Sequence, residues 1–501
     1  MAYAESCRSE SRTQLSSYSQ AEYGQYFTNR VIAEYLATMF DIHGSNISLL
    51  DPGAGSGVLT AAFVDRALMS RAKLKSITVL ACEIDKTLHP DLERTLQQCE
   101  QHCANSGVGF TYSIEDRDFI EFASENLQFG LFDNDRRTLA FDFVIMNPPY
   151  KKLGADSRQS RILKALGIHV PNLYAAFVAA ASRLLADNGQ LVAITPRSFC
   201  NGSYFRKFRT VLLNGGCVKH IHIFPSRNRA FAEDKVLQEN IVFHYLKAHD
   251  KNNRVLITEG DLIQGELIQS ARLSSEQIVS SLDSERVIHI PFIYSIDKKA
   301  RINSTVSTKL VELGLWVSTG KVVDFRSASH LRRLESSSAA PLIYPQHFSG
   351  LGISWPKTDA KKPNAIERND ETRAFLLQPG SYVVVKRFSA KEERRRIYAA
   401  LIEPEMVGHQ TFAVENHVNY YHHNGIGMDS HTARGLAAYL NSTRADESFR
   451  TFSGHTQVNA SDLVRLNYPS ASRLKAIGKR ITNLGLSQHE IDKIVEEELE
   501  K

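Results

Sequence analysis

Through the first 250 residues, short apolar runs alternate with stretches whose apolar positions recur at helical spacing. The runs Ile47–Leu50, Ile77–Cys82, Phe110–Ile114, Phe141–Met146, Gln190–Thr195, His220–Phe224 and Asn240–Leu246 read as strands. Between them, Asn29–Phe40, Val58–Arg71, Pro90–Ala104 and Asn172–Leu185 carry helical periodicity. In the first of these, Val31, Ile32, Tyr35, Leu36 and Met39 share one face. Strands alternating with helices over this length predict an α/β fold, a doubly wound sheet with helices on both faces.

The rhythm breaks near residue 250. Residues 251–310 are mixed and polar, and read as a linker with one helix near Ser274–Leu282. From Leu315 onward come short strand-like pieces between turns: WVSTGKVV, PLIYP, SYVVVKRF, RIYAALI and HVNYYH. They predict a separate, irregular α+β domain over 311–470. Residues 471–501 end in a charged helix whose start is marked by the capping-box pair Ser487 and Glu490.

Composition narrows the class. A chain of 501 residues, 43% hydrophobic and 23% charged, fits a globular protein of two or three domains. The six cysteines (Cys7, Cys82, Cys99, Cys103, Cys200, Cys217) are scattered and outline no disulfide framework, as in a reducing cytoplasm. Cys99, His102 and Cys103 lie close together, but no second ligand pair follows at a zinc spacing, so no metal is expected. The Ser-rich start has no signal-peptide core, and no apolar run approaches the roughly 18–20 residues of a membrane span. A cytoplasmic location is expected. Net charge is only +5, yet residues 301–400 hold 17 Lys and Arg against 9 Asp and Glu, which leaves the rest of the chain slightly acidic. Such a local basic surplus fits a polyanion-binding face.

The chemistry concentrates at strand ends, where open α/β sheets bind ligands. Asn147-Pro148-Pro149-Tyr150 follows the apolar run Phe141–Met146. Two prolines cannot continue a central strand, so the tetrapeptide is a stiff turn. It offers an amide, a backbone carbonyl and an aromatic face together. That set suits a flat substrate with an exocyclic amino group: Asn147 and the Pro148 carbonyl accept its two hydrogens, and Tyr150 stacks on its ring. After the first strand comes Asp51-Pro52-Gly53-Ala54-Gly55-Ser56-Gly57, whose glycine spacing departs from the dinucleotide fingerprint. Asp51 can face an ammonium group there. Glu83, ending the second strand, is placed for ribose hydroxyls. Asp118 is placed for an adenine amino group, with Phe119 or Ile84 against the ring.

In this order and spacing, DPGAGSG, CEID, DF and NPPY resemble the γ class of S-adenosylmethionine-dependent adenine-N6 DNA methyltransferases of bacterial restriction–modification systems. Asn172–Phe199 is similar to the next helix–strand unit of that family, and Gly24–Ala37 to the segment before the Gly-rich loop. The resemblance covers roughly residues 21–250. It implies a Rossmann-like catalytic domain over 1–250, a linker over 251–310, a DNA target-recognition domain over 311–470 and a helical end. It also implies S-adenosylmethionine bound by Thr28, Asp51, Gly53, Ala54, Gly55, Glu83, Ile84, Asp118 and Phe119. Thr28 would lie at the methionine end, although Asn29 stands where the family usually has proline. The implied reaction is direct methyl transfer to a flipped adenine, with no metal and no covalent intermediate. Tyr150 and Phe231 would contact the base.

Lys386, Arg387, Lys391, Arg394, Arg395 and Arg396 form the densest basic cluster and the candidate phosphate contacts. Gln457 and Asn459 are weaker candidates for base reading, a structural turn being the preferred alternative. The implied partners are double-stranded DNA and a restriction endonuclease carried on a separate chain, with the enzyme acting as a monomer. The competing readings are an RNA guanine-N2 or protein glutamine methyltransferase using the same turn, and a catalytically dead DNA-binding module.

Overall fold

The computed structural model describes residues 28–501 apart from 133–138, 225–239, 251–252, 263–267, 282, 292–305, 334–335, 337, 360, 390–392 and 454–456. Its contacts divide the chain into two units, residues 1–293 and 294–501. Phe231 and Lys391 fall outside the described residues, as do Gly24–Phe27.

The first unit is built on a nine-stranded sheet ordered β3-β2-β1-β4-β5-β7-β6-β8-β9. The strands are β1 Asn46–Pro52, β2 Ser76–Cys82, β3 Gly109–Glu115, β4 Phe141–Met146, β5 Leu185–Pro196, β6 Cys217–Ile223, β7 Asn240–Leu246, β8 Arg254–Glu259 and β9 Gln269–Ser274. The first five in the sheet run parallel, and β7 inserts antiparallel between β5 and β6. Helices α1 Arg30–Thr38, α2 Val58–Leu68 and α3 His89–Asn105 cover one face. Their apolar stripes, among them Ile32, Leu36, Phe63, Leu92 and Leu96, meet Leu49, Val79, Ile145 and Val192 of the sheet in one buried cluster. Helices α4 Phe119–Phe132, α5 Arg158–Ala165, α6 Leu173–Leu184 and α7 Arg206–Gly215 complete the layer order of the unit. Strand order reverses between β1 and β4, which makes the carboxyl ends of these two strands the topological switch point.

Two features differ from the expectation. The sheet does not close at β7: the hairpin β8–β9 extends it, so residues 254–274 belong to the first unit and not to a linker. Strand β9 (QSARLS) lies at the sheet edge and buries little more than Leu273, so it lacks the apolar alternation that marks an internal strand. The helix expected over Ser274–Leu282 is a single turn, Ser275–Ile278, held by a Ser274–Gln277 capping box.

The second unit is the expected irregular α+β assembly. One antiparallel sheet orders β10 Trp316–Thr319, β19 Val418–His422, β16 Tyr382–Lys386 and β17 Ala399–Ile402. A second joins β11 Leu331–Arg332, β15 Ala365–Glu367, β12 Ala339–Ile343 and β18 Ala413–Val414, and a hairpin pairs β13 Phe348–Ser349 with β14 Gly352–Ile353. Helices α8 Ser430–Leu440, α9 Thr443–Arg450, α10 Ala460–Arg465, α11 Ala471–Arg480 and α12 Gln488–Glu500 follow. Helices α8 and α11 touch backbone to backbone. A Cβ on Gly435 would stand 1.8 Å from the Leu474 carbonyl oxygen, and one on Gly478 would stand 1.8 Å from that of His431. The capping box of Ser487 and Glu490 opens α12.

Candidate active site

Parallel pairing sets the strand ends level. Pro52, Cys82 and Glu115 lie in register across β1, β2 and β3, and Leu50 pairs with Val144 of β4. Asp51, Glu83, Asp118 and Asn147 therefore arrive on one rim.

Asp51 is fully buried, and its Oδ2 accepts a 2.7 Å hydrogen bond from Thr60 Oγ1 in the first turn of α2. No donor reaches its buried Oδ1 among the described residues. Burial, opposed by the Thr60 hydrogen bond and reinforced by the Glu83 charge, pushes this carboxyl up to about 7. The sign follows from proton uptake. Between the ordinary carboxylate value of about 4 and pH 7, the folded chain holds a proton that the unfolded chain releases, so Asp51 erodes stability as pH rises through that range. Replacing Asp51 by Asn should remove this slope. The Tm advantage of Asp51→Asn over the wild type should widen from pH 4 to pH 7 in thermal melts; a constant difference would contradict the assignment.

The loop after β1 needs glycine where it turns. Gly53, Gly55 and Gly57 have φ of 84°, 58° and 82°. A Cβ on Gly57 would also stand 3.0 Å from side-chain atoms of Leu92 and Thr95. The N–H groups of Gly53 and Ala54 donate to the Cys82 carbonyl at 2.8 and 3.0 Å, drawing the loop over the end of β2. Glu83 then fastens it: one carboxylate oxygen accepts from the Gly55 N–H and the other from the Asp85 N–H, both at 2.8 Å. Burial raises the Glu83 carboxyl, and these two N–H donors oppose the rise.

At the end of β4, Asn147 is half-buried and its Nδ2 donates to Thr28 Oγ1 at 3.1 Å. This bond ties the amide of the turn to the segment just before α1. Thr28, expected at the methionine end of a cofactor, is thus found holding Asn147. Pro148 is buried, and Tyr150 is half-buried, its hydroxyl 3.4 Å from the Ile194 carbonyl and its ring edge-on to Tyr174. Asp118 accepts from the Ile120 N–H at 2.7 Å and from Gln159 Nε2 at 3.2 Å, so it serves the start of α4 as well as the rim. Ile84 is 42% exposed, whereas Phe119 is 3% exposed with its ring 5.0 Å from that of Phe177. Of these two, Ile84 keeps an open face for a planar ligand; Phe119 is core, packed against Phe122 and Phe177. The orphaned Asp51 oxygen suits an ammonium, the left-handed glycines permit close backbone approach, and exposed Ile84 suits a flat ring. The donor set therefore fits a cationic, ring-bearing cofactor.

The basic cluster does not form a stripe. Arg396 is fully buried, its Nε donating to Ser389 Oγ at 3.1 Å and its guanidinium 5.8 Å above Phe449. Arg395 donates to the Asn441 carbonyl at 2.8 Å and lies over Tyr398. Lys386 lies over the rings of Phe348 and Tyr398, and Arg387 donates to the Asn416 carbonyl at 3.1 Å. Arg394 alone of the described members is exposed. The phosphate role expected for Arg396 is thereby corrected: the segment joins β16 to β17 against α9, and its cations hold that packing. Arg396→Ala should cost roughly 2–4 kcal/mol, as a large buried side chain lost together with its hydrogen bond. Arg394→Ala should leave Tm unchanged, and chemical denaturation of the two variants checks the contrast. Asn459 caps α10 in a box with Asp462, the turn preferred for it from the sequence.

A glycine loop after β1 and an amide-bearing double-proline turn after β4, flanking the switch point of a doubly wound sheet, define a Rossmann-like methyltransferase. Residues 70–231 match the family described as Eco57I restriction-modification methylase. The chain is 41% identical over 488 residues to the type II methyltransferase M.BsuBI of Bacillus subtilis, covering 95% of this chain and 94% of that one. It is 37% identical over 496 residues to the type II methyltransferase M.PstI of Providencia stuartii, covering 99% and 96%. The solved structure of the type IIL restriction-modification enzyme MmeI in complex with DNA shares the fold, with a TM-score of 0.54 over 94% of this chain and 72% of that one at 11% identity. The chain belongs to the type II methyltransferases of restriction–modification systems.

Proposed function

We propose that the chain transfers a methyl group from S-adenosylmethionine to the N6 amino group of an adenine in double-stranded DNA. The observation that carries this reading is the turn after β4, where Thr28 fixes the Asn147 amide beside the Pro148 carbonyl at the end of a central strand. An adenine amino nitrogen is a poor nucleophile because its lone pair is delocalised into the ring. Two acceptors, the Asn147 and Pro148 carbonyl oxygens, hold its two hydrogens and draw the nitrogen toward tetrahedral geometry. Tyr150 stacks on the ring and sets its plane. When bound, S-adenosylmethionine supplies an electrophilic sulfonium methyl. Asp51 meets its ammonium group, Glu83 its ribose hydroxyls, Asp118 its adenine amino group and Ile84 its adenine ring, while the backbone of Gly53, Ala54 and Gly55 lines its approach. The chain's contribution is positioning and preorganised polarity.

A base stacked in a duplex cannot reach this turn, so the target adenine flips out. Protection against an endonuclease carried on a separate chain is the role this reading implies, with one copy of the enzyme acting alone on DNA. The test is tritium transfer from labelled S-adenosylmethionine to unmethylated genomic DNA, to ribosomal RNA and to a release factor. Label in DNA alone is expected. Label in RNA or protein but not in DNA would overturn the reading in favour of the guanine or glutamine alternative, and DNA binding without transfer would favour a dead module.

A further inference from the structure

Of the basic cluster that stood out in the sequence, only Arg394 among the described members is exposed, which leaves other cations of residues 301–400 to form a polyanion-binding surface. The turn after β10 offers a built surface of that kind. Phe325 is 78% exposed at its tip, and the Arg326 guanidinium lies 5.4 Å from the ring centroid. The turn under the ring is tightly held. Arg326 and Ser327 both donate their N–H groups to the Val323 carbonyl, and Ser327 is buried. Asp324 accepts from the Tyr344 hydroxyl at 2.7 Å and from Lys362 Nζ at 2.5 Å. Val322, just before the turn, is fully buried and donates its N–H to the Val414 carbonyl. A large apolar side chain is thus presented to water by a loop whose own hydrogen bonds prevent it from folding back. Arg326 lies against the ring, exposed Lys321 precedes the turn with its Nζ on the Ala374 carbonyl, and exposed Lys362 is paired with Asp324.

We propose that Phe325 is an aromatic tip that stacks on a base of the bound duplex, while Lys321 and Arg326 neutralise the neighbouring phosphates. This inference rests on the reading of DNA as the substrate. An exposed aromatic ring with a guanidinium against it matches what DNA presents at a partly unstacked step, a base face between two charged strands. A protein partner would be met instead by a wider apolar patch than one ring.

The test uses the full-length protein and a fluorescently labelled unmethylated duplex that the wild type is shown to methylate. Binding is followed by anisotropy over a series of salt concentrations. Phe325→Ala should weaken binding by about tenfold or more, the size of one lost base–aromatic stack, with the salt slope unchanged. Phe325→Trp should restore it. Arg326→Gln and Lys321→Gln should each lower the salt slope by about one. Affinity for S-adenosylmethionine without DNA, and Tm, should match the wild type in all four variants. If the wild type methylates the duplex but Phe325→Ala binds it as tightly, the tip is overturned and the methylation reading stands. If the wild type transfers no methyl group to DNA, the methylation reading itself has failed.

Discussion

Asn147→Ala should lower kcat by about 10²- to 10³-fold, the loss that follows removal of one preorganised polar group from a reacting centre. The KM for S-adenosylmethionine and the Tm should change little, because the side chain stands half-buried on a turn at a strand end. Asn147→Asp gives a sharper contrast. A carboxylate keeps an acceptor oxygen toward the substrate and can accept from the Thr28 hydroxyl, so this variant should retain more activity than the alanine one. Steady-state kinetics on a methylatable duplex separate these outcomes. Equal losses in both variants would mean that the amide acts through its Nδ2 donor and not its carbonyl.

Glu83→Ala should act on a different step. It removes the acceptor for two N–H groups, those of Gly55 and Asp85, and so releases the Gly-rich loop from the end of β2. Hydrogen bonds to a charged group are worth about 1.5–3 kcal/mol, so affinity for S-adenosylmethionine should fall by about 10- to 100-fold. Stability should fall by roughly 2 kcal/mol, less than two full hydrogen bonds, because the buried carboxylate already carries a desolvation cost. Glu83→Gln keeps one acceptor and should fall between. Calorimetric titration with the cofactor checks the affinities; a wild-type affinity in Glu83→Ala would remove Glu83 from the site.

Strand β4 was legible because it is buried on both faces, and β1 and β2 because their carboxyl halves are largely buried. Phe141–Met146 is an unbroken apolar run apart from Asp142, and its structure buries all but that residue. The Gly-rich loop and the double proline were legible because backbone geometry restricts those positions to few residue types. Three things were not. Edge strand β9 has a polar sequence, since an edge makes no demand for apolar residues on both sides. Arg396 read as surface because charge is usually solvated, yet its aliphatic stem and guanidinium fill a niche between Ser389 and Phe449 that only the tertiary fold creates. The hydrogen bond between Thr28 and Asn147 joins residues 119 positions apart, and no local pattern encodes such a pair. Likewise, the acids at the strand ends could be located from the sequence, but not the work Glu83 does for Gly55 or Gln159 for Asp118.

In the proposed reaction the turn after β4 activates an adenine amino group. The most direct measurement is the nucleoside composition, by liquid chromatography and mass spectrometry, of unmethylated duplex DNA after exhaustive reaction with this enzyme and S-adenosylmethionine. N6-methyladenine is expected as the new nucleoside, absent when Asn147→Ala is used. Methylated cytosine in place of methylated adenine would contradict it.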